Sequence, residues 1–147
     1  MNTEAEPIRA LVSQPRTVAV VGLSPKQHRE SYRVSAYMQQ QGWRIVPINP
    51  VAAASGTPIL GEKVYATLAD AAQHERLELV NVFRNSDDVP PVVDEAIAVG
   101  APAVWMQLGI SNEAAAAKAR AAGLQVVQNK CLLIEHRTWH RANLSPL

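Results

Sequence analysis

A glycine turn followed by three basic residues is the segment of this sequence best suited to chemistry. Gly22 ends an apolar run, and the residues after it, LSPKQHRESYR, include Lys26, Arg29 and Arg33. A glycine turn that runs into a helix presents unpaired N–H groups and the positive end of the helix dipole, which favour a phosphate group. The three cations could neutralise phosphate oxygens, although Lys and Arg are also usual in solvent-exposed loops. The segment predicts a local anion site, with a plain surface loop as the alternative.

Two common nucleotide-binding motifs are absent. The chain has neither a Walker loop, GxxxxGK[ST], nor the dinucleotide fingerprint GxGxxG. The second apolar run ends in Ile48, Asn49 and Pro50, and not in the Asp or Glu that binds the ribose of NAD. The sequence therefore lacks the usual cradle for a nucleoside triphosphate and indicates a phosphorylated nucleotide other than a typical NAD.

The sequence contains no recognisable catalytic or metal-binding constellation. Its four histidines lack metal-site spacing, HExxH included, and no GxSxG nucleophile motif occurs. Ser24 and Ser31 are interpreted as turn and helix-cap serines, with His28 between them in the sequence. Asp87 and Asp88 precede a helical pattern, which favours helix capping over acid–base catalysis. We predict no catalytic residue and no metal site.

The single cysteine, Cys131, excludes an internal disulfide and is typical of a protein of the reducing cytoplasm. It follows the last apolar run, so it could face a ligand cleft, where Lys130 would favour its reactive thiolate. The alternative is the usual one for a free cysteine, a small buried hydrophobe. Trp105 lies inside an apolar run, which favours core packing over base stacking.

Five short apolar runs alternate with segments of helical spacing, which predicts a doubly wound α/β domain with right-handed crossovers. The runs are Thr17 to Val21, Arg44 to Ile48, Glu78 to Phe83, Ala103 to Met106 and Gln125 to Val127. Helices are predicted at about Pro7 to Ser13, Ser31 to Gln41, Leu68 to Gln73, Asp87 or Asp88 to Val99, and Asn112 to Ala122. In such a sheet, ligands bind beyond the carboxyl ends of the strands, where the strand order reverses.

Two segments are predicted to lack regular structure. Val51 to Gly61, rich in small residues, is expected to be a surface loop of the same domain. The tail after His136 has no clear periodicity and is expected to be loosely held.

Length and composition indicate one soluble domain over residues 1–147, with its core at about 15–136. The chain has 147 residues, of which 48% are hydrophobic, and a formal charge of +1 with no run of like charges. A nucleic-acid surface and a polybasic membrane patch are therefore not expected. No apolar run approaches the ~20 residues that cross a bilayer, and the acidic start is broken by Pro7, so a cytoplasmic, unexported protein is predicted.

Six motifs in order resemble those of a known family. They are VAVVGLS, VPINP, ILGEKVYATLADA, VFR, VWMQLGI followed by NEAA, and AGLQVVQNKC, which span about Thr17 to Glu135. The pattern is similar to the small stand-alone coenzyme A-binding proteins and to the N-terminal CoA-binding domain of the succinyl-CoA synthetase α subunit. The resemblance implies a Rossmann-like domain with a mainly parallel sheet of five or six strands, and coenzyme A as the ligand.

The resemblance also implies site residues, position by position. CoA phosphates would be bound by the glycine turn and the cations after it, namely Gly22, Leu23, Ser24, Pro25, Lys26, Arg29 and Arg33. Asn49 and Pro50 would flank the adenosine, and Phe83 and Arg84 would meet the adenine or the pantetheine arm. The remaining matches are Gln107, Leu108 and Gly109, which would line the pantetheine path, and Asn129 and Cys131 after the last strand.

The chain departs from the synthetase in three ways. The turn after Gly22 contains less glycine, the domain with the phosphorylated histidine has no counterpart in this length, and the β subunit is missing. The ligase reaction is therefore not inherited. The sequence favours a carrier, sensor or accessory component that binds CoA or acyl-CoA. A small CoA-dependent enzyme, an NAD(P)-binding oxidoreductase and an interaction module working with a separate ligase chain stay open, as does a homodimer through apolar helix faces.

Overall fold

The structure, a computed structural model, describes residues 4–144, in which strands and helices alternate. The strands are β1 (Thr17–Val21), β2 (Arg44–Ile48), β3 (Leu79–Val82), β4 (Ala103–Met106) and β5 (Gln125–Val127). The helices are α1 (Ala5–Val12), α2 (Glu30–Gln40), α3 (Pro50–Ser55), α4 (Leu68–Ala72), α5 (Val89–Ala98), α6 (Glu113–Ala121) and α7 (Leu132–Ala142). All five predicted strands are present within a residue or so of their predicted bounds.

The five strands form one parallel sheet in the order β2-β1-β3-β4-β5. β1 and β3 are neighbours, and the chain progresses outward from them in opposite directions, so the strand order reverses between these two strands. The predicted doubly wound, Rossmann-like architecture is confirmed, with five strands in the described sheet.

Both faces of the sheet are covered because the strands are apolar on both sides. Alternate residues of β1 enter two separate cores: Ala19 and Val21 pack with α4, α5 and α6, whereas Val18 and Val20 pack with α1, α2 and α7. Trp105 of β4 is fully buried in the second core, and its indole N–H donates to the carbonyl of Lys130 at 2.8 Å. The prediction that this tryptophan is a core residue is confirmed.

The prediction of a loop from Val51 to Gly61 is wrong for the first half of the segment. These residues belong to helix α3. Asn49 caps this helix, since its Oδ1 accepts from the N–H groups of Val51 and Ala52 at 3.0 and 3.1 Å. Pro50 occupies the first turn, where its missing N–H is harmless, and Gly56 ends the helix with a φ of 70°. Six residues are too few to show a helical period in the sequence.

The tail after His136 is not loose where the structure describes it, because it completes α7. This helix runs to Ala142 and packs against α1 and α2. Leu132 and His136 are its buried residues, and the partly buried Leu133 and Trp139 pack against the same core. A histidine at a core position interrupts the apolar pattern, which is why no helical periodicity is visible in this part of the sequence.

The start of α5 also differs in detail from the prediction. Ser86–Asp88 form a single 3-10 turn, and Asp88 stands at the cap position of α5 with no side-chain cap hydrogen bond. The prediction that Asp87 or Asp88 caps the helix with its carboxylate is therefore wrong. The prediction that the prolines lie in the first turn of α5 is confirmed. No helix among residues 4–144 combines the length and apolar character that a membrane span requires.

Candidate ligand cleft at the carboxyl edge of the sheet

The loops that follow β1 and β3 meet at the point where the strand order reverses. Gly22, directly after β1, has a φ of 89°, and its N–H donates to the carbonyl of Ile48 at 3.0 Å. A Cβ at this position would overlap the carbonyl oxygen of Phe83, directly after β3. A glycine is therefore required for two independent reasons, the backbone conformation and the close approach of the two loops.

A cavity of about 670 Å³ opens above this contact. We call it the glycine-loop cavity, and the glycine loop is residues 22–29. The loop, the first turn of α2 and the end of β3 supply its lining, which consists of Gly22, Ser24, Lys26, His28, Arg29, Glu30, Ser31 and Phe83.

The cavity carries basic side chains that form no ion pair with any residue the structure describes. Lys26, His28 and Arg29 are exposed, and within the described residues none of their side chains makes a hydrogen bond or ion pair. Arg33 differs, because it is paired with Glu30 one turn away on α2 and does not line the cavity. The unneutralised cations lie where a negatively charged ligand would be bound.

Helix α2 begins at this cavity without a side-chain cap. Arg29 holds the cap position in an extended conformation, and no side-chain cap hydrogen bond forms there among the described residues. By contrast α3, α4 and α6 are capped by Asn49, Thr67 and Asn112. The start of α2 therefore offers unsatisfied N–H donors and the positive end of the helix dipole to the cavity.

The glycine loop is held by hydrogen bonds from inside the protein. The N–H of Ser24 donates to Oγ of Ser31 at 3.0 Å, and Oγ of Ser24 accepts from the N–H of Lys26 at 3.1 Å. The Asn49 amide donates to the carbonyl of Leu23 at 2.9 Å, and the Leu23 side chain is fully buried. The loop is thus ordered before any ligand arrives.

A second cavity of about 450 Å³ adjoins the first, and Phe83 lines both. We call it the adjoining cavity, and its lining consists of Phe83, Arg84, Asn85, Ser86, Gly109 and Ile110. Oγ of Ser86 accepts from the N–H of Ser111 at 3.1 Å, which ties the loop after β3 to the loop after β4. Together the two cavities make an elongated cleft along the carboxyl edge.

The loops after β4 and β5 are joined beside the adjoining cavity. The N–H of Gly109 donates to Oδ1 of Asn129 at 2.7 Å, and Asn129 itself has a left-handed φ of 56°. Oε1 of the buried Gln107 accepts from the N–H of Leu132 at 3.0 Å and so satisfies the start of α7. Cys131, at the cap position of α7, is 9% exposed and packs in the core with α1, α2 and α7.

The predicted site residues fall into three groups. Those that line the cleft are Gly22, Ser24, Lys26, Arg29, Phe83, Arg84 and Gly109. Those that support it through hydrogen bonds are Leu23, Asn49, Gln107 and Asn129. Those that belong to neither group are Pro25, Arg33, Pro50, Leu108 and Cys131.

Several lining residues were not among those predicted. They are His28, Glu30, Ser31, Asn85, Ser86 and Ile110. All six lie in segments that the strand-end rule selects, residues 22–33, 84–88 and 107–112, so position along the chain was an available signal. The role of Ser31 had no signal, because a hydrogen bond across seven residues from Ser24 depends on the path of the loop.

A buried histidine, His136, lies where α7 meets α2, with the exposed His140 beside it. His136 is 5% exposed, and its Nδ1 is 2.8 Å from the hydroxyl of Tyr37. The ring of His140 stacks on His136 at 5.9 Å, and Trp43 meets it edge-on at 6.2 Å. Burial, followed by the charge of His140, lowers the pKa of His136, and burial raises the pKa of Tyr37. The neutral imidazole is thus the form that this contact favours.

The opposite edge of the sheet has a cavity of its own, of about 480 Å³. We call it the amino-edge cavity, and its lining includes Arg16, Glu75, Arg76, Glu78 and Gly100. Among residues 4–144 no group of three or more His, Cys, Asp or Glu side chains is placed to hold a metal ion at either edge.

Comparison with known proteins gives one family and several structural relatives. Residues 16–137 match the model of a family described as a CoA binding domain. The chain is 33% identical over 135 residues to the uncharacterised protein YneT of Bacillus subtilis, which covers 92% of this chain and 96% of the relative.

Solved structures show the same fold. A hypothetical protein from Pyrococcus horikoshii superposes with a TM-score of 0.83 at 33% identity, over 91% of this chain and 90% of that one. A dinucleotide-forming acetyl-coenzyme A synthetase from Candidatus Korarchaeum cryptofilum superposes with a TM-score of 0.66 at 21% identity. The match covers 81% of this chain and 27% of the synthetase, so this likeness concerns the fold alone.

Proposed function

The chain belongs to the CoA-binding domain family, and from that premise we propose that it binds coenzyme A or an acyl-CoA in the cleft at the carboxyl edge. The observation that carries the proposal is a 670 Å³ cavity at the strand-order reversal with unneutralised Lys26 and Arg29 at its rim. We further propose that the protein acts as a carrier, sensor or accessory component and not as a ligase.

The CoA phosphates are proposed to lie in the glycine-loop cavity. The N–H groups of Ser24 and Lys26 already donate to serine hydroxyls, so these two loop amides are not available to a phosphate. The phosphate contacts therefore fall to Lys26, His28 and Arg29 and to the uncapped first turn of α2. Charge-assisted hydrogen bonds of this kind are stronger than those between neutral groups.

The pantetheine arm is proposed to pass Phe83 into the adjoining cavity. Phe83 lines both cavities, and Arg84, Gly109 and Ile110 line the far one. Exposed Leu108 stands next to Gly109 in the chain and offers apolar surface at the rim, while Gln107 and Asn129 keep the neighbouring loops in place. The adenosine is proposed to lie on the β2 side, against Pro50 and the loop that Asn49 holds.

A binding role is supported over nucleophilic catalysis by the state of the two cavity serines. The hydroxyls of Ser24 and Ser31 each accept a hydrogen bond from a loop N–H, and neither is paired with His28. They serve the shape of the loop and are not activated by a general base.

Isothermal titration calorimetry with CoA, dephospho-CoA and pantetheine tests the proposal. CoA should bind at a 1:1 ratio and pantetheine far more weakly, because most of the proposed contacts are made to phosphates. Lys26→Glu should weaken CoA binding more than dephospho-CoA binding if Lys26 meets the 3′-phosphate, and equally if it meets the pyrophosphate. Arg33→Glu is the paired variant, and its effect should be smaller because Arg33 does not line the cavity. Equal affinity for CoA and pantetheine would refute the proposed phosphate site.

A further inference from the structure

We propose that Ser31 and Asn49 are positioning residues that clamp one peptide group of the glycine loop and thereby set the anion site. The peptide is the one that joins Leu23 to Ser24. This inference rests on the proposed function for the identity of the ligand, although the clamp itself is a feature of the free protein.

The two side chains hold the two polar atoms of the same peptide. The carbonyl oxygen of Leu23 accepts from Nδ2 of Asn49 at 2.9 Å, and the N–H of Ser24 donates to Oγ of Ser31 at 3.0 Å. A peptide group is planar, so fixing both of its polar atoms fixes the orientation of the whole unit. Rotation of this peptide would break both hydrogen bonds together.

Each clamping residue is itself held by its own element. Oδ1 of Asn49 accepts from the N–H groups of Val51 and Ala52, which leaves its amide nitrogen directed at the loop. Ser31 lies in the first turn of α2 and is 6% exposed. The clamp therefore ties the loop to the starts of α3 and α2 at once.

The clamp extends to the cation that the ligand is proposed to meet. With the peptide fixed, Oγ of Ser24 accepts from the N–H of Lys26 at 3.1 Å, and the carbonyl of Lys26 accepts from the N–H of Arg29 at 3.1 Å. The backbone of both cationic residues is thus placed through Ser24. Loss of either clamping side chain would leave Lys26 and Arg29 present but no longer pre-positioned, which costs affinity when a ligand must order them.

Three variants and a matched control test the clamp. Ser31→Ala removes the acceptor, Asn49→Ser removes the donor but keeps a side chain that can cap α3, and the third variant combines the two changes. Ser35→Ala is the control, because Ser35 lies one turn further along α2, is 1% exposed, and its Oγ has no hydrogen-bond partner within the described residues.

Two measurements separate the clamp from the ligand. Calorimetry with CoA should show that each single variant weakens binding by about 10-fold, the usual consequence of one lost hydrogen bond of about 1.4 kcal/mol. The double variant should be weakened little more than either single one, since releasing one end already frees the peptide. Amide hydrogen exchange followed by NMR should show a protected Ser24 N–H in the wild type and the Ser35→Ala control, and faster exchange in the Ser31→Ala variant.

The outcomes distinguish failure of the proposed clamp from failure of the proposed CoA binding. Wild-type affinity in both single variants, or losses that multiply in the double variant, would overturn the clamp while the binding of CoA stands. Absence of CoA binding by the wild type would overturn the proposed function and with it the positioning role. In that case the fixed peptide would still be established if the Ser24 N–H is protected from exchange in the wild type and exchanges faster in Ser31→Ala. An unprotected Ser24 N–H in the wild type would refute the fixed peptide as well.

Discussion

The two edges of the sheet both carry a cavity with arginines or lysines, yet they use these side chains differently. At the amino edge, Arg16 donates to the carbonyls of Ala10 and Leu11 at 2.6 and 3.2 Å, so its guanidinium holds the end of α1. At the carboxyl edge, Lys26 and Arg29 make no side-chain hydrogen bond with any described residue. Arg16 at the amino edge therefore stabilises the fold, whereas Lys26 and Arg29 at the carboxyl edge are available to a ligand.

The carboxylates show the same contrast. At the amino edge, Glu75 receives two hydrogen bonds of 2.7 Å from Arg44, and Glu78 accepts from the N–H of Thr17 at 2.9 Å. Arg76 also lines this cavity, but its side chain makes no hydrogen bond or ion pair with a described residue, and it stands beside these two acidic groups in the chain. The two edges therefore differ less in the size of their cavities than in whether their charged side chains are already hydrogen-bonded within the protein.

The largest expected effect is a difference in stability and in CoA binding between alanine substitutions at one glycine of each edge. Gly22 and Gly100 both have positive φ, of 89° and 78°, and each lines its edge's cavity, but a Cβ at Gly100 would meet nothing within 4 Å. Gly100→Ala should lower the free energy of unfolding by about 1 kcal/mol, the cost of the backbone conformation. Gly22→Ala should cost at least about 2 kcal/mol and abolish CoA binding, because a loop must also move.

Chemical denaturation and CoA titration of the two variants check this prediction. Equal losses of stability in both, with CoA binding retained in Gly22→Ala, would mean that the close approach of the loops after β1 and β3 has no importance for the site.

Charge reversal is the next largest test of the contrast. Lys26→Glu should weaken CoA binding by about 10- to 100-fold, since a charge-assisted hydrogen bond is replaced by repulsion. Arg76→Glu is the matched change at the amino edge and should leave the affinity within about 2-fold. Calorimetry at two salt concentrations measures both affinities. A larger effect for Arg76→Glu than for Lys26→Glu would indicate that the ligand binds at the amino edge and would contradict the proposed site.

Acidification should act on two parts of the molecule in two separate pH ranges. The folded protein lowers the pKa of His136 below its ordinary 6.5, so the neutral form is favoured, and stability is lost as the pH falls below about 6.5. The hydrogen bonds from Arg44 lower the pKa of Glu75 below its ordinary 4.5, so its contribution is lost as the pH falls below about 4.5. The Arg44 side chain is 52% exposed, so that second loss should be under about 1 kcal/mol.

Urea denaturation from about pH 2 to pH 8 measures both losses. His136→Gln should remove the first and Glu75→Gln the second, whereas His28→Gln, at an exposed site, should remove neither. Retention of the first loss in His136→Gln would show that another group near the contact of α7 with α2 titrates there.

The smallest expected effect concerns Cys131, which the sequence left open as a thiol facing CoA. The structure places its side chain in the core at 9% exposure, outside the lining of both cavities of the cleft. Cys131→Ser should therefore change CoA affinity by less than about 2-fold. Mass spectrometry after incubation with CoA under oxidising conditions checks this. The prediction is contradicted if the wild type gains the mass of one CoA, reduction removes that mass, and Cys131→Ser does not gain it.

Sequence and structure agree best where a pattern is local and long enough to read. The β-branched runs specify all five strands, and Gly22 at the end of the first run points to the site, because strand ends in a parallel sheet gather at one edge. Helix α3, with six residues, and the buried His136 in α7 were missed because the first is too short and the second too polar for hydrophobic periodicity.

The roles of individual site residues were less accessible to the sequence. The family resemblance predicts that Asn49 flanks the adenosine, and it does not predict that the polar atoms of Asn49 cap α3 and hold Leu23. Gln107 likewise supports the start of α7 from a buried position. The contacts of Asn49 with Leu23 and of Gln107 with Leu132 join residues more than 20 positions apart, so they depend on the assembled fold and not on any local pattern.

A thermal-shift panel tests the central claim, CoA binding at the carboxyl edge, most directly. The ligands are CoA, acetyl-CoA, dephospho-CoA, NAD, NADP and ATP, and the proteins are the wild type, Lys26→Glu and Arg76→Glu. A ligand that binds the folded state raises the melting temperature by mass action. CoA and acetyl-CoA should raise that of the wild type and of Arg76→Glu, and should raise that of Lys26→Glu much less. No response to CoA together with a rise caused by NAD or NADP would contradict the account and favour an oxidoreductase.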